Sequence, residues 1–205
     1  MANSMQRSGT NRQWLENKAI MGVFALMKLL PYRSRNRLMG ASLRGFMGNI
    51  IGYRKRIMNN LNLIYPNMVQ ERKTEIADQV LDNAGRTFIE NVYPAAFLVN
   101  NLEVELWGEG LEEVLKAHAI GRPIMFYSGH FGNHEAFRAA LFQRGIKVGG
   151  MVRRMANPYF DINYKNMLDI DGRSGPVFEA HSKGTLGFFK ALKTGSALVL
   201  LIDLA

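Results

Sequence analysis

A chain of 205 residues, 47% hydrophobic and 21% charged, is long enough for one domain with an ordinary core and is neither disordered nor fibrous. The absence of cysteine excludes a disulfide scaffold, a thiolate metal site and a cysteine nucleophile. The net charge of +9 is uneven: residues 1–60 hold eleven Lys and Arg against Glu16 alone, a net +10, while residues 61–205 are near neutral. A basic end on a neutral domain points to an anionic partner, such as a membrane surface, a nucleic acid or an acidic protein.

The first element expected is a helix over Ala19–Tyr32. Ile20, Val23, Phe24, Met27 and Leu30 share one face by their spacing, and Lys18, Gly22, Ala25 and Lys28 lie towards the other. Lys28 and Pro31 keep this run short of the roughly 20 apolar residues a membrane crossing needs. Two readings fit: a helix lying in a membrane interface with its lysines reaching headgroups, or a helix packed on the domain's own core. The basic residues from Arg33 to Arg56 favour the first, on the cytoplasmic side. A late, lysine-bearing apolar run without a small-residue cleavage site does not read as a secretory signal. No nucleic-acid-binding motif accompanies the basic stretch, so nucleic acid is not the expected partner.

Residues 34–100 read as helical. Segments 37–47 and 55–63 are apolar-periodic, Tyr65-Pro66-Asn67 is a turn, and a long helix is expected over Glu71–Glu90. Its expected apolar face is Ile76, Val80, Leu81, Ala84, Phe88 and Ile89. Near residue 102 the pattern changes to strand–helix alternation. Strands are expected at 103–107, 123–128, 147–152, 177–180 and 197–202. Helices are expected at 110–119, 133–144, 158–168 and 183–193, with Gly145 ending the second and Ser182 capping the last. Such alternation implies βαβ units and a mostly parallel sheet with covering helices, an α/β fold. The chain therefore divides into a basic segment with a membrane-interacting helix (1–33), a helical part (34–101) and an α/β core (102–205). It ends just after a strand whose composition buries both faces, so the sheet reads as incomplete and the chain as C-terminally truncated.

The chemically richest segment is Ser128-Gly129-His130-Phe131-Gly132-Asn133-His134-Glu135, between an expected strand and an expected helix. Open α/β sheets place their sites at the carboxyl ends of strands. The glycines permit a sharp turn, Asn133 suits a helix cap, and a fresh helix N-terminus presents amides to an anion. Glu135 can reach back to His130 and make it a general base. Other readings share these residues. Glu135 also suits the helix dipole, His130 suits a turn, and His130, His134 and Glu135 could hold a metal. There is no nucleophile elbow around Ser128, so a base here would activate a substrate hydroxyl or water.

The block SGHFGNHE resembles the H-x4-D/E motif of glycerolipid-type acyltransferases, and in detail that of the bacterial lipid A late acyltransferases, the lauroyl and myristoyl transferases of the lysophospholipid acyltransferase-like superfamily. Arg54–Pro66 resembles their "NL…FP" segment, Val104–Leu111 their "G-x-E-x-L" lead-in, Val152–Phe160 their "YRP…NP" segment, and Gly184–Asp203 their strand ending in "PDQ". The blocks run in order over residues 14–203. His134 stands where tryptophan is usual, Met155 where proline is usual, and Leu204 where glutamine is usual.

The resemblance implies a glycerolipid acyltransferase-like fold and transfer of a fatty acyl group from acyl carrier protein to a hydroxyl of a lipid A precursor. It implies the cytoplasmic face of the bacterial inner membrane as the location, with no metal and no cofactor. His130 and Glu135 would be the catalytic dyad. Gly132, Asn133, Arg153, Arg173 and Asp203 would contact substrate, Arg153 through a phosphate of the anionic glycolipid. The basic N-terminal third would hold anionic lipid or steer the acidic carrier protein. Another lysophospholipid or glycolipid acceptor, or an inactive membrane-bound remnant, fits the same residues. His118 and His181 are expected to be surface or packing residues.

Overall fold

Thr10 and Gln13 hydrogen-bond reciprocally: the Thr10 hydroxyl accepts from the Gln13 N–H at 3.2 Å, and the Gln13 carboxamide oxygen accepts from the Thr10 N–H at 3.0 Å. This box opens α1 (Asn11–Lys28) well before the apolar run that suggested it. The structure, a computed structural model, describes residues 9–100, 104–168 and 174–203. Contacts divide the chain into two units, Met1–Gly22 with Leu98–Ala205, and Val23–Phe97.

The helical unit takes the last turns of α1. Then come α2 (Tyr32–Ser42), a π-helical turn (Leu43–Met47), α3 (Gly48–Ile50), α4 (Tyr53–Ile64) and α5 (Gln70–Val92). Its centre is the crossing of α2 on α5. A Cβ on Gly85 would stand 2.6 Å from the Met39 carbonyl oxygen and 2.9 Å from the Gly40 Cα, so the two backbones meet where neither has a side chain. The buried face of α5 accordingly runs Lys73, Ala77, Leu81, Gly85 and Ile89, one residue in four. This corrects the expected face: Val80 and Phe88 are exposed, because the small residues carry the close approach. The buried Lys73 ammonium donates to Asn62 Oδ1 at 2.9 Å.

A polar clasp joins the helix ends. Glu90 accepts from the Tyr32 hydroxyl at 2.8 Å and from Asn36 Nδ2 at 2.9 Å. The Arg35 guanidinium lies 4.2 Å over the Tyr93 ring and donates to the Leu30 carbonyl at 3.1 Å, closing the C-terminus of α1. The Tyr93 hydroxyl donates to the Phe24 carbonyl. Phe24 and Met27 are buried, which makes the centre of the predicted apolar stripe of α1 a core face. Val23 of that stripe is exposed, as are Leu15 and Leu26 elsewhere on α1 and Leu29 just past its end, the last 80% exposed.

The division between the units falls within α6 (Pro94–Asn100), and the α/β unit then runs through α7 (Leu111–Ala119), β1 (Ile124–Ser128), α8 (Ala136–Phe142), β2 (Val148–Val152), α9 (Pro158–Leu168), β3 (Val177–Glu179), α10 (Ser182–Lys193) and β4 (Ala197–Leu201). The four strands form one sheet in the order β1-β4-β2-β3, every pair parallel. On one face, Ile124, Val148, Ala197 and Val199 pack with Leu141 and Ile146, joined by Val114 and Ala117 of α7. Leu198 points the other way and is fully buried, as is Phe188 of α10, whose ring meets Phe178 of β3 edge-on at 5.8 Å. Burial on both faces is why ALVLL carries no polar residue.

The α/β reading stands, with local corrections. Residues 104–107 join no ladder; only the inward placing of Leu106 against the core survives of the expected strand. The helix after the histidine block begins at Ala136 because 133–135 form a turn. The cap of α10 is His181, whose Nδ1 accepts from the Gly184 N–H at 3.2 Å, and not Ser182. Gly145, at φ +83°, ends α8 as expected.

Gly85→Ala tests the helix crossing. In an exposed helix this change stabilises by about 1 kcal/mol. Here the new methyl meets backbone, so a destabilisation of about 1–3 kcal/mol is expected in urea denaturation.

Candidate active site

The carboxyl ends of β1 and β4 build the site. Their parallel ladder runs in register from Ile124↔Ala197 to Ser128↔Leu201, and the Ile202 N–H continues it to the Ser128 carbonyl at 3.0 Å. His130 and Asp203 each lie two residues past the last pair, so the register alone brings them side by side. Asp203 takes two hydrogen bonds from His130: Oδ2 accepts from the backbone N–H at 2.8 Å, and Oδ1 stands 2.9 Å from Nδ1. These bonds, the backbone one first, hold the Asp203 carboxyl below the usual aspartate range. An ionised carboxylate only accepts, so Nδ1 carries the hydrogen, and in the neutral ring the lone pair lies on Nε2.

The intervening turn is shaped by glycine. A Cβ on Gly129 would stand 3.2 Å from the Asp203 Cγ and closer still to the Phe131 ring. Gly132 adopts φ +52°, a left-handed conformation that suits glycine. Asn133 Oδ1 accepts from the Glu135 N–H at 3.1 Å and closes the turn before α8.

Glu135 lies on the far side of a second imidazole. Its Oε2 accepts from Arg138 Nη1 at 2.6 Å, and its Oε1 is 3.8 Å from His134 Nε2. Arg138 in turn donates from Nε and Nη2 to the Val148 carbonyl at 3.1 and 2.8 Å, tying Glu135 to the start of β2. The His134 ring meets the His130 ring edge-on, 5.0 Å between centroids. Burial pushes the His134 pKa down, against the opposing pull of Glu135. The order across the site is thus Asp203, His130, His134, Glu135. His130 and Glu135 are not hydrogen-bonded to each other.

Arg153 follows β2, one strand beyond β4 on the same sheet edge, and is exposed. Its neighbour Arg154 turns to Glu179 at the end of β3, donating from Nη2 at 2.5 Å and Nε at 3.1 Å. Lys165 bridges Asp161 at 2.7 Å and Glu179 at 2.8 Å. Asn157 Oδ1 accepts from the Tyr159 and Phe160 N–H groups and starts α9, while its Nδ2 donates to the Gln13 carbonyl at 2.8 Å. Arg173 lies outside the described residues. Among the described residues, no three His, Asp or Glu side chains gather as a metal would require.

Sequence reasoning singled out Asp203 and His130 separately but not as partners, and the Arg138 clamp on Glu135 went unseen. The i, i+3 spacing of Glu135 and Arg138 on one helix face was the available signal. Nothing local pairs residues 73 positions apart; that required the strand order.

The fold and site together define an α/β protein with a carboxylate-bound histidine on the turn after a parallel strand, its Nε2 free for proton transfer. The sequence matches the profile of the family described as bacterial lipid A biosynthesis acyltransferase over residues 4–204, and the chain belongs to that family. Acyl transfer in lipid A biosynthesis is therefore its class of activity. A search of curated proteins finds no match.

The Glu179 cluster sets a pH dependence. Hydrogen bonds from Arg154 and then Lys165 push the Glu179 carboxyl down to about 2, from an ordinary 4.5. A carboxyl lowered by folding stabilises the fold above its unfolded pKa, and this is lost as pH falls through the folded one. Glu179→Gln is thus expected to lower the melting temperature at pH 7 and to flatten its decline between pH 4.5 and 2, read by thermal melts across that range.

Proposed function

We propose that this chain moves a fatty acyl group from acyl carrier protein to a hydroxyl of a lipid A precursor, with His130 as general base and Glu135 as its acidic partner. The observation that carries this reading is the free Nε2 of His130 at the carboxyl edge of the sheet, in a chain of the lipid A acyltransferase family. The acceptor hydroxyl gives its proton to Nε2 as its oxygen attacks the thioester carbonyl carbon. The tetrahedral intermediate collapses, the C–S bond breaks, and the leaving thiolate takes the proton from the imidazolium. The products are an ester and a free carrier thiol, with no covalent enzyme intermediate.

Glu135 lies across His134 from His130, and its negative charge favours the imidazolium that forms. Arg138 holds that carboxylate in place through its 2.6 Å hydrogen bond. The exposed guanidinium of Arg153 suits a phosphate of the glycolipid, and Gly132 and Asn133 line the turn that the acceptor would approach. Arg173 is offered as a further substrate contact from sequence alone.

We also propose the cytoplasmic face of the inner membrane as the working place. No helix among the described residues is long and apolar enough to cross a membrane. Support comes from exposed apolar side chains beside basic ones in the helical unit. Leu26, Leu29, Ile50 and Leu63 are well exposed there, and Arg33, Arg37, Lys55 and Arg56 belong to the same unit. This is the composition of a surface lying on anionic lipid, and it also suits an acidic carrier protein.

The test is acyl transfer from acyl carrier protein to a lipid A precursor, read by mass spectrometry. His130→Ala is expected to slow transfer by about 10²–10⁴-fold and Glu135→Ala to slow it strongly, with circular dichroism unchanged. Full activity in both variants would sink the mechanism. Acylation of a lysophospholipid in preference to the lipid A precursor would overturn the acceptor.

A further inference from the structure

We propose that Asp203 is the positioning residue of the general base: it, and not Glu135, fixes the tautomer and orientation of His130. The inference rests on His130 being the base. Three observations carry it. The in-register pairing of β1 with β4 places His130 and Asp203 at equivalent points two residues past Ser128↔Leu201, so their proximity follows from the sheet and not from a side-chain rotamer. Asp203 then uses both oxygens on one residue, one on the backbone N–H at 2.8 Å and one on Nδ1 at 2.9 Å. This two-point grip sets both where the turn stands and how the ring is rotated. Finally, Gly129 leaves the Asp203 carboxyl room that any larger residue would take, its Cβ position lying 3.2 Å from Cγ.

Glu135 cannot do this work from where it stands. Its carboxylate is bonded to Arg138, which is anchored on the Val148 carbonyl, and the His134 ring is the imidazole next to it. The two carboxylates therefore divide the task. Asp203 holds the hydrogen on Nδ1 and leaves Nε2 open to the acceptor hydroxyl. Glu135 supplies charge from the other side of the imidazole pair. Asp203 touches no reacting atom; it acts through His130.

Asp203→Asn discriminates by tautomer. Its carboxamide oxygen can still accept from the His130 N–H, while its amide group faces Nδ1 and, being a donor, drives the ring hydrogen to Nε2. The base then has no free lone pair where the acceptor arrives. With acyl carrier protein donor and lipid A precursor acceptor, kcat is expected to fall on the order of 10³-fold with KM little changed, as a wrong-tautomer histidine dictates. Nitrogen-15 NMR of the histidine rings gives a readout independent of turnover. The wild-type protein is expected to show His130 hydrogenated at Nδ1, and Asp203→Asn to shift it to Nε2. An Nε2-hydrogenated His130 in the wild type, which needs no variant to fold, would overturn the inference. So would an Asp203→Asn protein within about 3-fold of wild-type kcat while His130→Ala is inactive, and that outcome would leave the base itself standing. Full activity of His130→Ala would instead remove the reading on which the inference rests.

Discussion

The in-register parallel pairing of β1 with β4 is the constraint on which the site depends. Parallel neighbours that begin together end together, and residues equally far past the last ladder pair are adjacent. One strand end contributes a histidine on a glycine turn and the other an aspartate. The pairing is itself a packing result. Ile124, Ala197 and Val199 fill one face, Leu198 fills the other, and a shift of one residue would exchange the two sets. The same burial that stabilises the sheet therefore fixes the chemistry at its edge.

At that edge two imidazoles stand between two carboxylates. Each carboxylate has its own cationic or hydrogen-donating partner before any substrate arrives: Asp203 has His130, and Glu135 has Arg138. Between them the two imidazoles meet edge-on, and burial keeps His134 neutral more readily than a free histidine. In the proposed mechanism, a neutral second imidazole would spare the His130 imidazolium a like charge beside it. Where a tryptophan is usual in proteins that this chain resembles, His134 thus keeps an aromatic ring against His130 and adds a nitrogen close to Glu135.

Much of this was legible locally. PIMFYS and ALVLLI are apolar runs of strand length, and their spacing with helices implied a parallel sheet, although Tyr127 and Ile202 within them are exposed. SGHFGNHE was legible as a strand-to-helix turn carrying chemistry. What could not be read is what depends on strand order. No local pattern says that the last strand lies beside the first, so Asp203 was visible only as a strand-end residue near the site. The face of α5 was misjudged for a different reason: large residues dominate a periodicity, whereas Ala77 and Gly85 are buried because they are small enough to let α2 approach. On α1 the periodicity was right for Phe24 and Met27 but not for the exposed Val23, and it could not distinguish lipid from protein as the covering; Phe24 and Met27 are covered by protein. The His181 cap escaped because imidazole is an unusual cap acceptor and Ser182 stood next to it.

The account claims that His130 and Asp203 act as one unit, and a double-mutant cycle measures that directly. Residual acyl transfer would be compared for His130→Ala, Asp203→Asn and the double variant. A positioning residue has nothing to position once its histidine is gone, so the double variant is predicted to transfer at the rate of His130→Ala alone. Losses that multiply, with the double variant slower by the product of the two single effects, would contradict the coupling and with it the site as described.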